Sequence, residues 1–301
     1  MATSHQLPHH VQMIVEFLIA IWDVILIVVL AIRDSCVAFF TNFAPIGLIK
    51  EKDITGKTIL LTGAAGGLGR EMAVQLARKG CRLILWDRDE KGLMETEKRC
   101  GGEVKWYTVD MMKREDIAQT ADTMRKEIGP VHILINNAGV GIGGKILEVE
   151  ESAIRTTMEV NCMSHFWMAR EFLPQMILNE DGQIVTVASF GGLFMSAQDM
   201  VPYCTSKFAA VAIQQGLENE LAFTTICPLY FQTQLLDDLT TQPGLPVMTA
   251  DYVAEWAINA ILTEQSLSII PRQKWIPYAF RGLISRATFK RIIITKFKNS
   301  R

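Results

Sequence analysis

Apolar positions fall into two regimes along this chain. Val11 to Ile32 is almost continuously apolar, broken by Glu16 and Asp23. A second apolar stretch, Cys36 to Ile49, follows Arg33-Asp34-Ser35. From Lys50 onward the pattern changes to short apolar runs separated by helical periodicity. The runs Thr58-Ile59-Leu60-Leu61, Arg82 to Trp86, Val104 to Thr108, Val131 to Ile135, Gln183 to Val187, Thr224 to Cys227 and Leu267 to Ile270 read as strands. Runs apolar throughout are those expected of strands covered on both faces. Arg70 to Lys79 reads as a helix stopped by Gly80, and Ser152 to Met176 as a long one. Strand and helix alternate, which predicts α/β architecture with a doubly wound, Rossmann-type parallel sheet.

The twenty-two residues from Val11 to Ile32 are long enough to span a bilayer. Glu16 and Asp23 lie seven apart, on one helical face, and oppose a deep central position. A tilted or interfacial helix accommodates them, and a shallow hairpin turning at Arg33-Asp34-Ser35 is the alternative. Residues 1–10 hold no Lys or Arg for the basic region of a signal peptide. Arg33, Lys50 and Lys52 follow the segment and place what comes next on the cytosolic side.

Charge sharpens the division. The chain of 301 residues carries a formal net charge of −2, yet residues 265–301 hold nine cations and no acid. Its hydrophobic fraction is 49% and its mean hydropathy +0.19. The basic tail is interleaved with Trp275, Ile276, Phe280, Leu283, Ile284 and Phe289. Cations mixed with apolar side chains suit a membrane surface better than nucleic acid. The expected organisation is therefore an anchor over 1–49, one catalytic domain over 50–271 and a basic amphipathic tail over 272–301. Six cysteines are scattered without a C-x-x-C, and neither they nor the five histidines show metal-ligand spacing, so no metal is expected.

Two motifs carry chemistry. Thr62-Gly63-Ala64-Ala65-Gly66-Gly67-Leu68-Gly69 sits between a strand and a helix, the setting in which glycines admit a pyrophosphate to a helix N-terminus. The second strand ends in Asp87, an acid able to accept both ribose hydroxyls and to repel a 2′-phosphate. Far downstream, Tyr203 and Lys207 are four apart on one helix face, and Ser189 precedes them. A lysine ammonium beside a phenol is expected to lower the tyrosine's pKa, so that the pair can move a proton to or from an alcohol.

Together with Asn136-Asn137-Ala138-Gly139, these motifs resemble the short-chain dehydrogenase/reductase family in order and spacing over about residues 55–270. With the hydrophobic N-terminus and the Ser206-to-Val211 run, the likeness narrows to a membrane-associated branch. That branch contains epidermal-type retinol dehydrogenases and lipid-droplet 17β-hydroxysteroid dehydrogenases. The resemblance implies catalytic roles for Asn161, Ser189, Tyr203 and Lys207. It also implies cofactor contacts from Gly63, Gly67, Leu68, Gly69, Asp87, Asp110, Asn137, Tyr203, Lys207 and Thr233. Asp87, and the absence of a basic residue at Gly66, favour NAD over NADP, although Arg88 follows the acid. Pro228 and Thr233 match a family loop in which Leu229 stands where glycine is usual.

The expected substrate is a lipophilic alcohol, retinol-like or steroid-like, or the matching ketone or aldehyde. Phe190, Leu193, Phe194, Met195, Met200 and Val201 are candidates for an apolar pocket. The expected setting is the endoplasmic reticulum membrane or a lipid droplet, with a homodimer facing the cytosol. An NADP-dependent carbonyl reductase is one alternative. A catalytically weakened surface protein is another, because Glu218 to Leu221 runs into the sixth strand without a Gly, Pro or Asp turn. Either the preceding helix unwinds near Gly216, or the fold is weakened there.

Overall fold

The computed structural model describes residues 8–194, 199–232, 247–283 and 285, and divides the chain into two compact units, Met1–Pro45 and Ile46–Arg301. In the first unit, α1 (His9–Phe43) is one uninterrupted helix of 35 residues. The hairpin alternative is not observed. Arg33 and Asp34 pair with each other at 2.8 Å on the helix surface, and no Gly or Pro interrupts the backbone hydrogen bonding there. At 1.5 Å per residue the helix is about 50 Å long. It is long and apolar enough to cross a membrane, and the side chains of its apolar window are exposed.

The second unit holds a seven-stranded parallel sheet. Its strands are β1 (Thr58–Thr62), β2 (Arg82–Asp87), β3 (Val104–Thr108), β4 (Ile133–Asn136), β5 (Gln183–Val187), β6 (Ala222–Pro228) and β7 (Leu267–Ile270). They are ordered β3-β2-β1-β4-β5-β6-β7. The direction of winding reverses between β1 and β4, and their carboxyl ends open a crevice there. Alternate side chains enter opposite layers. Ile59, Leu61, Leu83, Leu85, Ile133 and Ile135 pack against α2 (Gly67–Ala77), α3 (Glu90–Cys100) and α8 (Ala250–Leu262). Leu60, Ile84, Trp86, Leu134 and Ile184 pack against α4 (Arg114–Glu127) and α6 (Ser164–Leu178). Both faces of the sheet are covered, which is why β1 and β4 are buried at every position.

The expected helix over 152–176 is observed as α5 (Glu151–Met158), a π-helical turn (Glu159–Met163) and α6. The short link expected to strain the fold is resolved by early termination. Helix α7 (Val201–Gly216) stops at the glycine, and Leu217 to Leu221 covers the distance to β6. Leu217 and Leu221 pack on the second core cluster, so the link is anchored by apolar contact where turn residues are missing.

Candidate active site

The glycine-rich end of the crevice is assembled from main-chain atoms. Gly63 has φ +67°, and a Cβ there would stand 2.7 Å from Ala138 Cα. A Cβ on Gly69 would stand 2.0 Å from the Gly63 carbonyl oxygen. Only glycine lets the turn close this tightly over β4. Gly67 and Leu68 open α2, with the Leu68 side chain buried in the core, so what this turn offers the crevice is backbone. Asn137 lines the crevice and also ties its walls together. Its Nδ2 donates to the carbonyls of Thr62 (2.9 Å) and Gly63 (3.1 Å), while Thr62 Oγ1 accepts from the backbone N–H of Asn137 and Ala138 at 3.0 Å each. The ends of β1 and β4 are thereby laced together.

Asp87 closes β2. Its carboxylate accepts from the N–H of Ala65 (3.0 Å) and of Asp89 (3.1 Å). Those bonds hold the acid at the crevice wall beside the glycine turn. Asp110 Oδ1 accepts from Met112 N–H at 3.0 Å, fixing the turn after β3. Both acids, with Arg70, Arg88 and Lys91, line a cleft of about 740 Å³ that continues to Ser189, Tyr203 and Lys207.

At the other end the working groups are side chains, Lys207 and Asn161 buried and Ser189 and Tyr203 half-buried. Lys207 Nζ donates to the Val187 carbonyl at 2.9 Å and lies 6.0 Å from the Tyr203 ring centre. Ser189, at the end of β5, accepts from Gly191 N–H at 3.1 Å and hydrogen-bonds the Tyr203 hydroxyl. Asn161 sits in the π-turn, a local widening of a helix that often marks a functional position. Its Oδ1 accepts from Val140 N–H and its Nδ2 donates to Val140 C=O, both at 2.8 Å. Its Nδ2 also reaches Ser206 Oγ at 3.0 Å, which in turn donates to the Tyr203 carbonyl at 2.7 Å. A Cβ on Gly139 would meet Lys207 Nζ at 3.2 Å and Asn161 Oδ1 at 3.4 Å, so ammonium and amide converge on that glycine.

The electrostatics differ from the expectation that Lys207 lowers the Tyr203 pKa. Burial pushes the Tyr203 phenol up to about 12; the Ser189 hydrogen bond opposes this, and Cys204, Tyr230 and Cys227 add to it. Burial brings Lys207 down to about 8, partly offset by Cys227. The two groups are thus poised by desolvation, with the lysine's charge spent on a carbonyl. His165, one turn beyond Asn161, is held neutral with a pKa of about 3 by burial and then by Lys207.

Phe190, Leu193 and Phe194 do not line the cleft; they form a core cluster with Val211, Cys227 and Ile269. Met200 is buried and Val201 exposed. Met195 and Thr233 lie outside the described residues. Leu229 keeps a negative φ and donates its N–H to the Ile270 carbonyl at 2.7 Å, so glycine is not required there. Sequence reasoning missed Ser206 and the Val187 carbonyl. Ser206 was visible inside the Tyr203-to-Lys207 segment, whereas a carbonyl partner leaves no sequence signal. Among the described residues no cluster of three His, Cys, Asp or Glu is placed to hold a metal ion.

The crevice suits a dinucleotide. The glycine turn leaves no room for side chains, and the wall ends in an acid at one end and in an alcohol-handling trio at the other. A sequence profile of the short chain dehydrogenase family matches residues 57–244. The chain is 36% identical to human estradiol 17-beta-dehydrogenase 11 over 293 residues, covering 91% of this chain and 95% of that protein. It is 34% identical to retinol dehydrogenase 10 of Xenopus tropicalis over 275 residues, covering 78% and 80%. A short chain dehydrogenase/reductase from Burkholderia phymatum in complex with NAD superposes with a TM-score of 0.70 at 27% identity, covering 77% of this chain and 95% of that one. A short-chain dehydrogenase from Sphingobium yanoikuyae in complex with NADPH gives 0.67 at 25% identity, covering 77% and 97%. The chain belongs to the short-chain dehydrogenase/reductase family and is an NAD(P)-dependent oxidoreductase.

Proposed function

We propose that this protein is a membrane-bound, NAD-dependent dehydrogenase of lipophilic secondary or allylic alcohols. The observation that carries the reading is the convergence of Ser189, Tyr203, Lys207 and Asn161 at one end of a cleft whose other end is walled by Asp87. NAD, when bound, supplies the acceptor for the hydride that leaves the alcohol carbon. Gly63, Gly67 and Gly69 leave the backbone open to its pyrophosphate, with the N-terminus of α2 facing it. Asp87 accepts from the ribose hydroxyls, and its charge disfavours a 2′-phosphate. Asp110 and the Asn137 crosslink shape the wall along the adenosine, and Thr233 is proposed to meet the carboxamide.

Tyr203 takes the alcohol proton, and Ser189 donates to the reacting oxygen. That transfer requires the phenolate form of Tyr203, and Lys207 is the cation proposed to favour it. Asn161, with Ser206, fixes the Tyr203 turn of α7 against the Val140 loop, and is proposed to support a proton relay by holding a water beside Lys207. The estradiol and retinol named in the relatives are proposed as the substrate classes to try first.

The domain reading accompanies this: an anchor over 1–49, the dehydrogenase over 50–271, and a basic tail over 272–301. Exposed Ile276, Phe280 and Leu283 beside Arg272 and Arg281 support the tail's contact with lipid. The apolar α1 supports residence at the endoplasmic reticulum membrane or a lipid droplet. Exposed Phe166 on α6 and Phe208 on α7 support a homodimer. The rival reading, a fold kept without turnover, rested on the short α7–β6 link. Since α7 ends at Gly216, two turns and more beyond Lys207, the link leaves the catalytic half of the helix intact.

Detergent-purified protein tested for NAD- and NADP-dependent oxidation of retinol and estradiol decides between them. Turnover with NAD that disappears in Tyr203→Phe is expected. NAD binding without turnover on any alcohol would favour the non-catalytic reading.

A further inference from the structure

The turn after β5 holds two adjacent glycines with different reasons to be glycine. Phe190–Gly192 forms one turn of 3₁₀ helix beside α7. A Cβ on Gly192 would stand 2.6 Å from the Lys207 carbonyl oxygen, so backbone packing excludes a side chain there. Gly191 is under no such constraint. Its φ lies outside the left-handed region, and the three atoms nearest a Cβ are all side-chain atoms. They are Cys204 Sγ at 3.2 Å, Ser189 Oγ at 3.4 Å and Tyr203 Cε1 at 3.8 Å. A methyl group would fit with a small shift of the cysteine. Its absence leaves a notch of about that size between the Ser189 hydroxyl and the edge of the Tyr203 ring. Gly191 is half-buried, as are Ser189 and Tyr203. Its N–H donates to Ser189 Oγ at 3.1 Å, which fixes the notch relative to the hydroxyl that holds the reacting oxygen.

The carbon that is oxidised carries four groups. Its oxygen meets Ser189 and Tyr203, its departing hydrogen faces the cofactor, and its hydrocarbon chain leaves through the open cleft that reaches both hydroxyls. The fourth group is a hydrogen in a primary alcohol and a carbon in a secondary one. Bonded to the same carbon as the oxygen, it lies in contact range of the wall around Ser189 and Tyr203. We propose that Gly191 is a specificity-determining residue, and that its notch receives the second carbon substituent of a secondary alcohol. The hydride then passes to NAD and the hydroxyl proton to Tyr203, leaving a ketone. A methyl group at position 191 would stand where that substituent sits, and would leave a hydrogen in the same place undisturbed. Small differences of this kind are what a closed apolar wall can discriminate.

The proposal rests on the alcohol dehydrogenase reading, and one experiment separates their failures. Full-length protein in detergent is assayed with NAD on 2-dodecanol and on 1-dodecanol, which share their carbon count and differ in the fourth group. The wild type should oxidise both. In Gly191→Ala the ratio of kcat/KM for the secondary over the primary alcohol should fall by roughly tenfold or more, the worth of one methyl group in a closed pocket. A general loss of packing would lower both rates together and leave the ratio where it was. NAD binding, read by tryptophan fluorescence, reports that the variant is folded. If binding is lost, the comparison is repeated in Gly191→Ala/Cys204→Ala, which removes the sulfur 3.2 Å from the new methyl. A ratio undiminished in the folded variant, or a wild type that oxidises 1-dodecanol alone, overturns the assignment of Gly191 while leaving the dehydrogenase standing. Turnover of neither alcohol, nor of retinol or estradiol, overturns the dehydrogenase and the assignment with it.

Discussion

At the glycine-rich end of the cleft the working groups are main-chain atoms, whereas at the tyrosine end they are side chains, wholly or half buried. The first end is specified by what must be absent, since a Cβ on Gly69 would fall 2.0 Å from a carbonyl oxygen. The second is specified by what is present and desolvated: a phenol raised to about 12 and an ammonium lowered to about 8. Steric exclusion is nearly indifferent to pH. Desolvation is not, because it acts on protonation equilibria. The two halves should therefore fail in different ways when perturbed.

The largest effect is expected at Tyr203. Replacement by Phe keeps the ring in its packing and removes the proton carrier, so kcat/KM for alcohol oxidation should fall by about 10²–10⁴-fold. NAD affinity should hardly move. Retention of a tenth of the wild-type rate would remove Tyr203 from the acid/base role.

Gly69→Ala attacks the other half. The methyl group would meet the Gly63 carbonyl, which is backbone, and the Asn137 amide, which is hydrogen-bonded in place, so overpacking should cost about 3 kcal/mol or more. For a domain of this size that is roughly 6–12 °C in melting temperature. Thermal melting in detergent, with NAD binding lost alongside, checks it. An unshifted melt would show that the turn is free to open.

Asp87→Ala should be milder and selective. Removing a charge-assisted contact of about 1.5–3 kcal/mol weakens NAD by roughly 10- to 100-fold. NADP should weaken less, since a repelling charge is removed with the contact. Equal Michaelis constants for both cofactors before and after the change would shift attention to Arg88.

The smallest effect is a slope. Lys207 titrates near 8 in the folded protein and, as a free lysine, near 10.5. Between those values the unfolded chain binds more protons than the native one, so this group makes stability rise with pH from about 8 to about 10.5. Tyr203, with its raised pKa, adds stability that is full below about 10 and fades toward about 12. Denaturant unfolding of Lys207→Met across pH 7–10.5 should show a flatter stability profile than the wild type. Parallel profiles would mean that Lys207 is hydrated in solution.

The sheet was legible because its strands are apolar on both faces, and a two-faced core needs that pattern wherever it occurs. The glycine motif and the Tyr203–Lys207 spacing were legible for a similar reason: one demands missing side chains and the other a fixed helical offset. The long helix over 152–176 concealed its π-turn, since the sequence pattern of one widened turn is that of an α-helix. The six apolar candidates between Ser189 and Tyr203 looked alike in sequence. Phe190 and Leu193 face Ile269 and Val211 across the fold, a direction set by long-range packing that local pattern does not record.

What the sequence determined by itself was the alternation of strand and helix, the turn where only glycine fits, and which residue types could move a proton. Each follows from a local property: side-chain period, backbone sterics or functional group. What only the tertiary structure decided was the state of those groups. Burial, and not the neighbouring lysine, sets the Tyr203 pKa; a carbonyl on β5 takes the Lys207 ammonium; Asn137 is turned to lacing strands together. These depend on atoms brought together from distant segments, and a desolvation energy exists only once the surrounding protein has replaced the water.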